Sequence, residues 1–177
     1  GIGMELGLRG RRVVVAGGSR GIGRSIALGF AAAGASVSIC ARGAGALEAT
    51  RAELAAFGGV VHAQVCDLAD EAAIAGFVPA AAAALGGIDI LVNNASGFGR
   101  GDDEESWAAS LSVDLMAAVR ASRAAVPWLM KGVEPSIIHI SSGSGLSPSV
   151  RTPAYGAAKA AVNHYTRTQA VALARHG

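Results

Sequence analysis

This sequence predicts an α/β fold, a doubly wound parallel sheet in three α/β/α layers, and three observations carry that reading. Strand-type and helix-type segments alternate five times along the chain. The strand segments are near-continuous apolar runs, as befits parallel strands buried on both faces. The β-branched run Val13-Val14-Val15 stops at Gly17, and an apolar helical pattern opens just beyond it at Ile22. Five βα units in succession demand a parallel sheet, because right-handed crossovers set helices on both of its faces.

The elements follow in order. Strand one is expected over 12–16, with a helix over 22–33 that ends at Gly34. Strand two covers 36–41, followed by a helix over 44–57 closed by Gly58-Gly59. Strand three covers 60–66, and Asp70 has the character of an N-cap for a helix over 71–85. Pro79 inside that span predicts a kink or an earlier boundary. Strand four covers 88–92 and runs into Asn93-Asn94-Ala95-Ser96. A long helix over 104–130 places Trp107, Leu111, Leu115, Val119 and Val126 at helical spacing, with Pro127 bending its last turn. Strand five covers 136–141, a Gly/Ser/Pro-rich loop covers 142–153, and the last helix covers 154–175.

The 177 residues suit a single domain, read over 1–177, with a sizeable core. Because 51% of the residues are apolar and only 5% aromatic, that core is expected to be built from Ala, Val, Leu and Ile. A net charge of +2 with scattered arginines speaks against nucleic acid or an anionic membrane as the main partner. No apolar run reaches membrane-spanning length and no basic-then-apolar leader is visible, so a cytoplasmic protein is expected. Gly1-Ile2-Gly3 ahead of Met4 reads as a remnant added to a natural start. Cys40 and Cys66 read as small buried apolar side chains rather than a disulfide. The four histidines show no ligand spacing, so no metal site is expected.

In a sheet of this kind ligands bind beyond the carboxyl ends of the strands, where the strand order switches. The polar groups there are Arg20, Arg42, Asp67, Asn94, Ser141 and Ser142. The turn Gly17-Gly18-Ser19-Arg20-Gly21-Ile22-Gly23 lies between a strand and a helix N-terminus, an arrangement that cradles a pyrophosphate. Gly17 permits the tight turn, Gly21 lets backbone approach the phosphates, and Gly23 lets the helix sit close on the strand. Ser19 and Ile22 belong to the same expected cofactor site. After strand two, a site reading an unphosphorylated ribose usually carries an acidic residue. Here the strand ends Ile39-Cys40-Ala41-Arg42. Arg42, with Arg20 in the glycine turn, suits a 2′-phosphate, which favours NADP(H) and leaves NAD(H) as the alternative.

Tyr155 and Lys159 stand four apart on the last helix and so share a face. An ammonium near a phenol favours the phenolate, as a proton donor and acceptor for a carbonyl/alcohol pair requires. Ser142 could hydrogen-bond the same substrate oxygen.

Taken together, these residues resemble a single-domain short-chain dehydrogenase/reductase, with a Rossmann-type sheet, through all five βα units. Ala16-Gly17-Gly18-Ser19-Arg20-Gly21-Ile22-Gly23 is similar to the family's Thr-Gly-x-x-x-Gly-x-Gly, with Ala for Thr. Asn93-Asn94-Ala95-Ser96 is similar to Asn-Asn-Ala-Gly, with Ser for the last Gly. Ser142, Tyr155 and Lys159 keep the family's order and spacing. The resemblance implies that Asp67, with its neighbour Leu68, meets the adenine and that Asn94 lies along the cofactor. It also implies that Lys159 binds the nicotinamide ribose while tuning Tyr155. It further implies a homodimer or homotetramer packed through the long and last helices, whose Ala-rich faces could instead cover the sheet.

Two departures stand out. The family's Asn in the middle of the long helix, thought to hold a water leading to the Lys, is replaced in Val113-Asp114-Leu115. Asp114 is expected to keep that water while perturbing Lys159, with activity retained at a lower rate. The family also continues past the equivalent of Gly177 with two more strands and a substrate-covering loop. The chain is therefore expected to be part of a longer one, with strand five as a bare edge. The expected function is oxidoreduction of a small carbonyl/alcohol substrate. The rivals are a non-catalytic NADP-binding regulator or assembly subunit, and an epimerase or dehydratase using the same Tyr and Lys.

Overall fold

The computed structural model describes residues 7–94, 101–140 and 153–174. It contains β1 (Arg12–Ala16), α1 (Gly21–Ala32), β2 (Ser36–Ala41), α2 (Ala44–Ala55), β3 (Val61–Val65), α3 (Glu71–Leu85) and β4 (Ile90–Asn93). Then come α4 (Glu104–Ala109), a π-helical turn (Ser110–Leu115), α5 (Met116–Leu129), β5 (Ser136–His139) and α6 (Pro153–Leu173). The strands form one parallel sheet in the order β3-β2-β1-β4-β5. The order reverses between β1 and β4, opening a crevice at their carboxyl ends.

The centre of the sheet is made by β-branched residues that favour extended backbone and pack on both faces. Val13 and Val15 face a core with Ala27 of α1 and Leu47 and Leu54 of α2. Val14 faces the other core, with Ile74 and Phe77 of α3 and Ala117, Ala121 and Ala125 of α5. Each of the three valines is fully buried, worth about 2 kcal/mol apiece in transfer free energy.

Several expectations are corrected. β3 is not a doubly buried run: Val61, His62, Ala63 and Gln64 are only partly covered, because β3 is an edge with β2 alone beside it. Its ends lie one residue inside the expected 60–66, and α2 stops at Ala55, with Phe57 exposed in the turn. β5 is similarly half-covered and ends at His139, short of the expected 141. The helix over 104–130 is interrupted by the π-turn. Its buried face beyond that turn is Ala117, Ala118, Ala121 and Ala125, while Leu111 is exposed. Small side chains win that face because they allow α5 to lie close against α3 and the sheet.

Neither proline ends its helix. Pro79 stands on the exposed side of α3 four residues after exposed Ala75, where water can serve the carbonyl that loses its donor. Pro127 of α5 is likewise exposed, as is Arg123 one turn before it. α3 begins as expected at Asp70, whose carboxylate accepts from the N–H groups of Ala72 and Ala73, and ends at Gly86 in the left-handed conformation. The two cysteines are free and buried.

β4 starts at Ile90, two residues later than expected, because Asp89 is diverted into a clamp. Its Oδ2 accepts from the Arg12 N–H at 2.9 Å and from Arg12 Nε at 3.0 Å. Its Oδ1 accepts from Arg12 Nη2 at 3.0 Å and from the Val133 N–H at 2.7 Å. One carboxylate thus ties the amino ends of β1 and β4 to the segment entering β5. Burial pushes this carboxyl upward, but the Arg12 and Val133 hydrogen bonds and the Arg12 charge outweigh it and hold it at about 2.

A carboxyl held below its usual value stabilises the fold above pH 4 and loses that contribution as the pH falls toward 2. Asp89→Asn is expected to cost about 3 kcal/mol at pH 7 in urea denaturation. That gap should narrow by about 2 kcal/mol between pH 5 and pH 2. A gap independent of pH would show that the clamp's charge contributes nothing.

Candidate active site

The glycine turn is built by contacts from three strands. Gly17 has φ +89°, and its N–H and that of Gly18 donate to the Cys40 carbonyl at the end of β2, each at 3.2 Å. From the end of β4, the Asn94 N–H donates to the Ala16 carbonyl at 3.0 Å and Asn94 Nδ2 to the Gly17 carbonyl at 3.1 Å. A Cβ on Gly23 would collide with that same Gly17 carbonyl and with Asn94 Nδ2. Gly21 has φ +53° and open space where its Cβ would stand. Thr50 of α2 donates to the Ser19 carbonyl at 3.3 Å and closes the turn from the far side.

The turn forms one wall of a cleft of about 450 Å³ at the carboxyl end of the sheet. Gly17, Ser19, Arg20, Arg42, Asp67, Leu68 and Asn94 all line it, so seven of the expected cofactor residues share one surface. Gly21 and Ile22 stand exposed in the first turn of α1, and Gly23 is buried behind it. Helices α3 and α4 start on the aspartate caps Asp70 and Asp103, whereas α1 and α2 start at Arg20 and Gly43 with no side-chain cap and no acidic residue in the first turn. Their free N–H groups and positive dipole ends suit an anion. Arg20 and Arg42 are exposed, with no carboxylate paired to either among the described residues. The shape, the uncapped helices and the two guanidinium groups fit a dinucleotide. Sequence reasoning passed over Gly43 and Cys66, which also line the cleft; nothing in their residue types marks them.

On the other side of Val113, which borders both spaces, lies a small cavity of about 10 Å³ walled in part by Asn93, Asp114, His139 and Lys159. Asp114 sits in the π-turn and is buried, as is Lys159 of α6. π-turns recur at functional positions because the extra residue re-aims a side chain. The Lys159 ammonium lies 5.6 Å from the Tyr155 ring centroid, so the pair shares one face of α6 as its spacing required. Ser142, with Ser141, Ala95 and Ser96, lies outside the described residues. His139 belongs to this cluster and was missed. The expected strand over 136–141 placed it in mid-strand, and only the end of β5 at His139 brings its side chain to the site.

The comparisons agree with this geometry. Residues 11–177 match the family model described as short chain dehydrogenase. Among curated relatives, the short chain dehydrogenase/reductase dpchG of Colletotrichum higginsianum is 34% identical over 93% of this chain, which spans 64% of that protein's length. Among solved structures, a short chain dehydrogenase from Burkholderia cenocepacia in complex with NADP is 37% identical. It has a TM-score of 0.90, and the match covers 96% of this chain and 71% of that one. An NAD+-bound xylitol dehydrogenase is 26% identical with a TM-score of 0.90, covering 96% of this chain and 67% of that one. The protein belongs to the short-chain dehydrogenase family.

Gly23→Ala is expected to force α1 away from the Gly17 carbonyl and to weaken binding of a nicotinamide dinucleotide, NADPH or NADH, at least about tenfold, a loss comparable with one displaced charge-assisted contact. A fluorescence titration checks this. An unchanged Kd would mean that the close approach at Gly23 does not shape the cleft.

Proposed function

We propose that the protein is an NADP(H)-dependent oxidoreductase that interconverts a small ketone or aldehyde with its alcohol. The observation that carries the reading is the Tyr155–Lys159 pair, with the ammonium 5.6 Å from the ring centroid beside the dinucleotide cleft. In reduction the Tyr155 hydroxyl donates its proton to the carbonyl oxygen, and in oxidation the phenolate takes it back. Lys159 supports the negative oxygen left when the proton departs and holds ribose hydroxyls of the cofactor. Ser142 hydrogen-bonds the same substrate oxygen, and Asp114 holds a water next to Lys159. Bound nicotinamide supplies or receives the hydride at the substrate carbon, which no side chain of the protein can do.

NADP(H) is favoured over NAD(H) by Arg20, Arg42 and the uncapped start of α2 at Gly43, with no acidic side chain at the end of β2 to receive a ribose hydroxyl. The similar solved structures include complexes with both dinucleotides, and the preference proposed here rests on the two arginines. No helix among the described residues is long and apolar enough to cross a membrane. We read the protein as cytoplasmic and as a homodimer or homotetramer assembled through α4, α5 and α6.

Tyr155→Phe is expected to leave NADPH affinity within about threefold and to lower kcat by about a thousandfold over a panel of ketones and aldehydes. Wild-type turnover in that variant would remove the mechanism. Wild-type protein that binds NADPH but oxidises it with no member of the panel would instead favour a nucleotide-binding regulator or assembly subunit. Arg42→Asp is expected to lower kcat/KM for NADPH about thirtyfold while NADH improves, since a charge-assisted phosphate contact is worth about 2 kcal/mol. Equal losses with both cofactors would contradict the 2′-phosphate role.

A further inference from the structure

His139 closes β5 and joins two other elements. Its Nε2 lies 2.7 Å from Gln169 Oε1 of α6, and its Nδ1 lies 3.2 Å from Asn93 Nδ2 of β4. Gln169 Nε2 donates to the Tyr165 hydroxyl at 3.1 Å, so it is the oxygen of Gln169 that faces the imidazole. Asn93 Nδ2 can only donate. The neutral tautomer with hydrogen on Nε2 is therefore the form that satisfies both contacts. Asn93 Nδ2 also donates to Ser122 Oγ at 3.2 Å, which commits both of its hydrogens. Asn93 Oδ1 is buried and has no partner among the described residues. Asn93, Asp114, His139 and Lys159 wall the same cavity, which is about the size one water needs.

We propose that His139 is a positioning residue for the carbonyl/alcohol reaction: as a neutral imidazole it holds the Asn93 amide with its oxygen free to accept a hydrogen bond from the Lys159 ammonium or from one water between them. The inference rests on the function proposed above. A proton on Nδ1 would set two donors against each other, reverse the Asn93 amide, and add a second cation beside Lys159. The charged and titratable groups around the ring are Lys159 and Tyr165 on α6, Asp114 in the π-turn, and Arg123 of α5, which acts on Tyr165. β4 contributes only the neutral Asn93. Burial, with help from the Lys159 charge, holds the imidazole below its ordinary value against the opposing pull of the Gln169 hydrogen bond. The site should accordingly keep its working form through neutral pH and lose it in acid.

The test follows NADPH-dependent reduction from pH 5 to pH 9 in wild type, His139→Asn and His139→Leu. Wild-type kcat is expected to fall in acid along a one-proton limb. Asparagine can set its Oδ1 where the imidazole Nδ1 stands and accept from Asn93 without titrating, so His139→Asn should stay within about threefold at pH 8 and lack the limb. His139→Leu leaves one hydrogen of Asn93 Nδ2 without an acceptor and should run about tenfold below the wild-type rate at pH 8, with no acid limb of its own and NADPH binding retained. The same acid limb in His139→Asn, or a wild-type rate in His139→Leu, would overturn the proposal. Nitrogen-15 NMR of the wild type provides a readout independent of turnover. It should show hydrogen on Nε2 alone at pH 8, and Asn93 side-chain amide signals that move with the His139 titration. If no carbonyl is turned over at pH 8, the functional reading has failed, and Asn93 signals indifferent to that titration would defeat the present one separately.

Discussion

At the carboxyl end of β1 the first turn of α1 descends onto the Gly17 carbonyl, with only the hydrogens of Gly23 between them, and the Asn94 amide closes the same contact from β4. Much of the cleft's form follows from that approach. It sets α1 with its uncapped N–H groups beside the crevice, and it fixes the turn that carries Ser19 and Arg20. It also joins β1 to β4 at the point where the strand order reverses, so that residues from the ends of β1, β2, β3 and β4 face one space.

The two ends of the sheet divide the work. At the amino end, Asp89 gathers Arg12 and the Val133 N–H, and a buried charge is satisfied by a guanidinium and backbone donors. Such a clamp ties strands together and offers nothing to a ligand. At the carboxyl end the polar groups are arranged the other way. Among the described residues Arg20, Arg42 and two helix N-termini are left without anionic partners, which is the state of a surface that binds an anion.

Much of this was legible in the residues, and for identifiable reasons. β1 and β2 were read to the residue because Val13-Val14-Val15 and Val37-Ser38-Ile39-Cys40 carry their own conformational preference and end at chemically abrupt positions. The cleft residues were legible because glycine, asparagine and arginine at those offsets have few other uses after a strand. The long helix was misread. Apolar spacing picked out Leu111 as an inward residue, yet packing against α3 and the sheet selected the alanines, and the π-turn shifted the phase of everything after Ser110. Periodicity reports which face is apolar and cannot register an inserted residue. Pro79 was read as a kink or a boundary and Pro127 as a bend in the last turn, and the exposure of both, which lets water serve the freed carbonyls, is set by packing.

The sequence by itself determined the order of the elements, the glycine turn between β1 and α1, and the pairing of Tyr155 with Lys159, because each depends on residues close together along the chain. Tertiary structure alone decided that Asp89 would be a clamp rather than a surface acid, and that His139, Asn93 and Gln169 would meet. Those groups come from different strands and helices, and their partners are set by sheet register and helix packing, which local sequence does not encode. The same holds for Asp114: its residue type was visible as a departure, but its burial beside Lys159 required the π-turn that turns it inward.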